Sequence, residues 1–481
     1  MERIDFAACR IGDEGVGDLI NAINNTPELS CLLELCLSSN HVGQLGCTAI
    51  GKLLKRSECR VRTLELDNNE LNDKCINILV DAFIVNKTLK FMELEHQKFV
   101  TPIGWCVFSA YMSHPTCVLD KACFRGDHLD DSVLISLGTT LAVNKKMKVV
   151  SLTNCRQLGA TILGWRGFST GLRYPDTVLR ELMLNRCNIN DDGVVALAMA
   201  LAKNKSLKIL NLSDNRSISS SGWVHCLNCL MNSSVLEDLD LSSNNIDDTG
   251  AILLARLLGH SDTIRSLDVR KCNNITTIGW LPIADSLRSS KVDSIGIGGT
   301  RGAADRQGII DTNDFIIRFA EALTCNTSLE SLDFEFSISN IGRSALANAL
   351  CDRSSIDNTF TSNHTLSYFS SGLTDHVGWL DELTSMNERS NKSNVARKKI
   401  LMCHFGDVDS CIPVFGPMDV RVLPTAFAWI GRDRLGYSLM NDCLKSMPWL
   451  IEPAKPPSKS EGRVQRRPSR NVRQRISHTR R

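Results

Sequence analysis

Eleven carboxylates recur beside regularly spaced leucines along this chain: Glu34, Glu65, Asp67, Glu93, Glu95, Glu181, Asp238, Asp240, Asp268, Asp333 and Glu335. Neighbouring carboxylates can perform acid–base hydrolysis if their environments push their pKa values apart, or they can recognise cationic groups. Distributed over many short segments of an open face, with nothing to separate their pKa values, these acids point to recognition. Other reactive groups are sparse. Cys226 and Cys229 form a CxxC inside an apolar helical stretch with no second pair at metal-site spacing. Cys403 and His404 are adjacent on a helix, where neighbouring side chains diverge. Gly296, Gly298, Gly299 and Gly302 lack the ordered spacing of a phosphate cradle, and no GxSxG, HExxH or GxxxxGK[ST] pattern occurs. The expectation is therefore no catalytic residue, no metal, no cofactor and no small-molecule substrate.

The elements that must position these acids are repeats. Residues 32–40 read LLELCLSSN and residues 236–244 read LEDLDLSSN, two copies of LxxLxLxxN. The second apolar position of this template falls at Ile4, Leu35, Leu64, Met92, Ala122, Val150, Leu182, Leu210, Leu239, Leu267, Ile295 and Leu332, with most steps 28 to 32 residues. Each LxL predicts a short strand with one buried face, and the following residues carry helical periodicity, as in GVVALAMALAKN from Gly193. One such coil cannot bury its own apolar face, so about twelve must stack, with parallel strands inside a curve and helices outside. Residues between the buried leucines then face the concave side. Against the eleven acids there stand only Lys121, Arg125 and Arg270. With strands about 4.8 Å apart, the acidic strip would extend roughly 50 Å, a span suited to a basic protein partner.

A longer period is superimposed. Trp105, Trp165, Trp223, Trp280 and Trp379 all follow glycine, and the steps between the first four are 60, 58 and 57 residues, two coils each. Intervening coils carry an entry such as Asp191–Gly193 or Asp247–Gly250. The tryptophans are expected to wedge between successive helices, with glycine permitting the turn into the helix.

The 28-residue class of unit, the LxxLxLxxN/C template and the alternating coil types resemble the ribonuclease-inhibitor-like leucine-rich repeats, over about residues 1–352. The resemblance implies an α/β solenoid, a horseshoe. That class also appears in innate-immune receptors and in Ran GTPase-activating proteins, so it implies fold more than function. The turn position departs from strict alternation of asparagine and cysteine, reading Cys9, Asn40, Asn69, Gln97, Asp127, Cys155, Cys187, Asn215, Asn244, Cys272 and Thr300. These residues are expected to bond backbone groups that burial would otherwise leave unpaired. The 37-residue step from Ile295 to Leu332 places a protruding loop at 298–311.

Apolar residues make up 43% of the 481 and aromatics 6%, which suits an aliphatic stacked core. No secretory signal opens the sequence and no run reaches the roughly twenty apolar residues of a membrane span, so the nineteen cysteines are expected to be reduced and mostly buried in a cytoplasmic protein. Residues 353–453 read as a degenerate last coil, NHTLSYFSSG from Asn363, and a helical cap. In this cap Val395, Ile400, Leu401 and Phe405 cover the last coil, Arg397 to Lys399 form a solvated face, and two short helices follow within 422–450. Residues 454–481 read as a disordered basic tail. Ten basic residues, Arg463, Arg466, Arg467, Arg470, Arg473 and Arg475 among them, against one acid give +9, leaving −7 on the rest of a chain of net charge +2. That tail suits nuclear import or attraction to nucleic acid, and Ser469 and Ser477 are candidate phosphorylation sites within it. The leading expectation is a noncatalytic scaffold or inhibitor that binds a basic protein on the concave acids. The alternatives are a GTPase-activating regulator similar to the Ran activator and a nucleic-acid-associated scaffold acting through the tail.

Overall fold

A computed structural model describes residues 2–26, 31–125, 129–155, 158, 161–299, 312–336, 338–370, 378–387, 392–404 and 445. The chain divides into two units, Met1–Lys399 and Ile400–Arg481; of the second, only residues 400–404 and 445 are described. The two short helices expected within 422–450 (residue 445 apart), the tail expected at 454–481 and residues 300–311 of the expected loop lie outside the described residues.

The first unit holds one sheet of thirteen parallel strands in sequence order. They are β1 (Arg3–Asp5), β2 (Glu34–Cys36), β3 (Thr63–Glu65), β4 (Phe91–Glu93), β5 (Lys121–Arg125), β6 (Val149–Thr153), β7 (Glu181–Met183), β8 (Ile209–Asn211), β9 (Asp238–Asp240), β10 (Ser266–Asp268), β11 (Ser294–Gly298), β12 (Ser331–Glu335) and β13 (Tyr368–Ser370). Every apolar position counted from the sequence lies in a strand and pairs with the next: Ile4 with Leu35, Leu35 with Leu64, onward to Ile295 with Leu332. Phe369 extends this row into β13, where the sequence reads as a degenerate last coil from Asn363.

Helices alternate with the strands: α1 (Gly12–Asn25), α2 (Gln44–Leu54), α3 (Asp73–Phe83), α4 (Pro102–Met112), α5 (Asp131–Val143), α6 (Ile162–Leu172), α7 (Asp191–Leu201), α8 (Ser220–Leu230), α9 (Asp248–His260), α10 (Thr277–Ser286), α11 (Thr312–Cys325) and α12 (Asn340–Leu350). The later helices are α13 (Ile356–Thr361), α14 (Gly378–Asn387) and α15 (Lys392–His404). Strands on one side and helices on the other make the α/β leucine-rich-repeat horseshoe that the periodicity predicts. No described helix is long and apolar enough to cross a membrane.

The turn residues satisfy buried backbone. Asn69 Nδ2 donates to Leu37 O at 3.1 Å and Leu66 O at 2.8 Å, while its Oδ1 accepts from Asn40 N and Val42 N, both at 2.9 Å. Cys187 and Cys272 stand at the same position and donate to the preceding coil, to Leu152 O at 2.6 Å and Leu241 O at 3.4 Å. Burial pushes both thiols up to about 12, so they are protonated donors rather than nucleophiles. A second ladder, which the sequence reading passed over, runs along the helix ends: Asn86, Asn144, Asn204 and Asn326 donate to Leu54 O, Met112 O, Leu172 O and Leu287 O at 2.6 to 2.9 Å.

Two coil types alternate through a relay at the helix starts. Asp73 accepts from Thr101 N at 2.8 Å and Thr101 Oγ1 at 2.7 Å; Asp248 accepts from Thr276 N and Oγ1 at 2.7 Å. Asp131 with Thr161 and Asp191 with Ser219 repeat the pairing. Each threonine or serine is the N-cap of a tryptophan helix, so an acid of one coil holds the start of the next. This corrects the reason for glycine before tryptophan. A Cβ at Gly164 would meet Asp131 Oδ1 at 2.5 Å and one at Gly279 would meet Asp248 Oδ1 at 2.6 Å, so glycine makes room for the carboxylate. Trp105, Trp165, Trp223 and Trp280 are at most 1% exposed. Each removes about 200 Å² from water, roughly 5 kcal/mol before entropy, although none of their indole N–H groups finds an acceptor.

The solvated face expected at Arg397 to Lys399 is corrected at two of its three residues, Lys398 being exposed. Arg397 is 6% exposed and Lys399 fully buried. Lys399 Nζ donates to Leu350 O at 2.6 Å and Asn363 O at 2.8 Å, placing a cation where the carbonyls of α12 end. Burial and that ammonium push the His364 imidazole down to about 4.

Candidate protein-binding surface

The sheet face opposite the helices carries all eleven acids. Glu65 and Glu93 are direct register partners on β3 and β4, and Asp67 and Glu95 follow two residues later, where Glu95 N donates to Asp67 Oδ1 at 2.7 Å. These four form one cluster. Asp238 and Asp240 share β9, and Asp240 pairs in register with Asp268 on β10. Glu34 stands apart, 3.4 Å from Arg3, and Glu181 sits between Val149 and Ile209 in register.

The cluster departs from the expectation that nothing separates these pKa values. Partial burial, a hydrogen bond with Asp67 and the negative charges of Asp67, Glu65 and Glu95 push the Glu93 carboxyl up to about 7. Burial first, then Glu95 and Glu65, raise Asp67 as well. Arg125 approaches Glu95 at 3.6 Å, and the Lys121 ammonium lies 4.6 Å above the Phe91 ring. Short strands force this crowding, since β3 and β4 present their acids at matching positions.

Glu93 therefore makes stability pH-dependent. Between its ordinary value of 4.5 and about 7 the folded chain holds a proton that the unfolded chain has released, so stability falls as pH rises through that interval. Glu93→Gln is expected to raise the thermal midpoint at pH 8 and to leave it nearly unchanged at pH 4. Equal shifts at both values would show that Glu93 titrates as an ordinary glutamate.

The other end of the strip is largely self-neutralised. Arg270 reaches Asp268 Oδ2 at 2.6 Å on its own strand and crosses β11 to Asp333 at 3.4 Å and Glu335 at 3.9 Å on β12. Gly296 makes the crossing possible: it lies between Asp268 and Asp333 in register, and a Cβ there would meet Arg270 Nε at 3.0 Å. These three acids hold the guanidinium far in its charged form. The sequence contained the signal, an arginine two residues after an aspartate with glycine at the matching position of the next strand. Beside this clasp a trough of about 310 Å³ is lined by Met183, Ile209, Asn211, Asp238, Asp240 and Ser266 among others. Asn211 donates to Asp240 at 2.7 Å, while burial and the neighbouring Asp240 and Asp268 raise Asp238.

Among the described residues no group of three or more histidine, cysteine or acidic side chains is arranged to hold a metal. Cys226 is buried on α8 and Cys229 half-buried beside it, both free thiols. The six tail arginines, Ser469 and Ser477 lie outside the described residues.

Comparison with known proteins finds the same repeat in the sequence. The Leucine Rich repeat family matches residues 176–198, 203–223 and 232–255. The chain is 25% identical over 260 residues to human NACHT, LRR and PYD domains-containing protein 14, which covers 53% of this chain and 23% of that protein. It is 26% identical over 215 residues to mouse ribonuclease inhibitor, covering 45% of this chain and 46% of the inhibitor. The chain thus spans less than half the length of either relative. A crystal structure of an internalin from Listeria monocytogenes superposes with a TM-score of 0.39 at 14% identity, covering 70% of this chain and 88% of the internalin. Repeat template, coil alternation and relatives converge: the chain carries leucine-rich repeats similar to those of ribonuclease inhibitor and of the NACHT, LRR and PYD domains-containing proteins.

Proposed function

We propose that this protein is a noncatalytic scaffold or inhibitor that holds a basic protein against the acidic strands of its sheet. The observation carrying this reading is the cluster of Glu65, Asp67, Glu93 and Glu95, four acids on two adjacent coils with Arg125 the one cation pairing with them among the described residues. Crowding like charges there costs stability, and a cationic partner recovers it by lending its charge. The similarity to a ribonuclease inhibitor, named for holding an enzyme in check, supports a protein as the occupant.

The test measures binding of two basic proteins, pancreatic ribonuclease and lysozyme, with serum albumin as acidic control, at low and moderate salt. The wild-type protein is expected to bind the basic proteins and release them as salt rises. The quadruple variant Glu65→Gln/Asp67→Asn/Glu93→Gln/Glu95→Gln is expected to bind about tenfold or more weakly while staying folded. Undiminished binding by the folded variant would move the site away from this cluster and overturn the reading.

A further inference from the structure

On the helical side, α5 and α6 are drawn together by glycines. A Cβ on Gly138 would meet Gly167 C at 2.7 Å, and one on Gly171 would meet Gly138 C at 2.7 Å, so the two backbones are in contact. On its other side α6 packs on α7, and the two helices border a groove of about 350 Å³, lined by Arg166, Ser169, Thr170, Arg173, Ala196, Met199 and Ala200. The arginines are seven residues apart, two helical turns, so both guanidinium groups edge one groove. Among the described residues neither pairs with a carboxylate.

The floor supplies a second, independent sign of a ligand. Ser169 is 7% exposed, yet its hydroxyl has no hydrogen-bond partner. The previous pair of coils explains why this is unusual. There the equivalent Ser109 bonds Thr140 Oγ1 at 3.1 Å, and Ser113 bonds the same hydroxyl at 2.9 Å. The same 31-residue step from Ser169 leads to Ala200, and Arg173 stands in place of Ser113. A self-satisfied seam of hydroxyls has become two cations around an orphaned hydroxyl, with Ala196 and Ala200 leaving the space open.

We propose that this groove between α6 and α7 binds a phosphate monoester carried on a phosphorylated side chain of a protein. Two guanidinium groups match a dianion, since each takes two of its oxygens in a fork. The Ser169 hydroxyl donates to one of the same oxygens, and the exposed Met199 with the two alanines covers the carbon atoms of the ester. This site is separate from the acidic strands and does not depend on what they bind.

The experiment is calorimetric titration of the full chain with acetyl-Gly-phosphoserine-Gly-amide, the unphosphorylated peptide and inorganic phosphate at low salt. The phosphopeptide is expected to bind at least about tenfold more tightly than the unmodified peptide. Arg166→Gln/Arg173→Gln should weaken it at least about tenfold. Ala200→Thr restores the partner hydroxyl of the preceding seam without changing charge, and should weaken binding about threefold or more by occupying Ser169 and the floor. Equal binding of the two peptides, or unchanged binding in both folded variants, would overturn the site. Inorganic phosphate binding as tightly as the phosphopeptide would overturn the assignment to a phosphorylated side chain.

Discussion

Asn215→Ala is expected to lower the unfolding free energy by about 3–5 kcal/mol, because one fully buried amide bridges two coils. Its Oδ1 accepts from Cys187 N at 3.0 Å and Ile189 N at 3.2 Å, and its Nδ2 donates to Leu184 O and Leu212 O, both at 2.9 Å. Alanine leaves the Cys187 and Ile189 donors and the Leu184 acceptor buried without these partners, while Leu212 O keeps its bond from Asn244 Nδ2 at 3.0 Å. Asn215→Cys is expected to recover part of the loss, since the thiol of Cys187 donates to a preceding carbonyl from the equivalent place. A thiol cannot replace the accepting oxygen, so the recovery stays incomplete. Urea denaturation followed by circular dichroism checks both variants. Because stacked coils are coupled only to their neighbours, Asn215→Ala should also broaden or split the transition. A single transition at the wild-type midpoint would remove the ladder from the forces that hold the stack together.

The ladder was legible in the sequence because its position is tied to a template: Asn40, Asn69, Asn215 and Asn244 each follow the strand by the same step. The same regularity located the strands, including those centred on Ala122 and Ile295, whose turn residues depart from the template. What periodicity could not reveal depends on differences between neighbouring coils. Arg270 needed the register of Gly296 beneath it, and the raised pKa of Glu93 needed four acids from two strands in one place. The buried Lys399 had no warning at all, since a run of three basic residues reads as surface until the carbonyls of α12 and Asn363 are seen to accept from it. The groove beside α6 is of the same kind: only comparison of Ser169 and Ala200 with Ser109 and Thr140 shows that a hydroxyl has lost its partner. Repetition carries the architecture, and deviation from repetition carries the sites.

That groove rests on the glycine contact behind it, which leads to the second large effect. Gly171→Ala is expected to cost about 3 kcal/mol, at the upper end for overpacking, even after the better helix propensity of alanine is counted. The added methyl would lie 2.7 Å from the carbonyl carbon of Gly138 and closer still to its oxygen. A Cβ cannot rotate away and the obstacle is backbone, so α6 must move as a whole. Movement away from α5 carries it towards α7, so the same substitution should narrow the groove and weaken phosphopeptide binding. Gly259→Ala is the control. Gly259 is exposed near the end of α9 with nothing within 4 Å of its Cβ direction, and alanine there should stabilise by about 0.5–1 kcal/mol through helix propensity alone. Denaturant titration should therefore separate the two alanine variants by roughly 4 kcal/mol. If Gly171→Ala matches the control, the helices yield without cost, and close packing of α5 on α6 is not what holds the groove open.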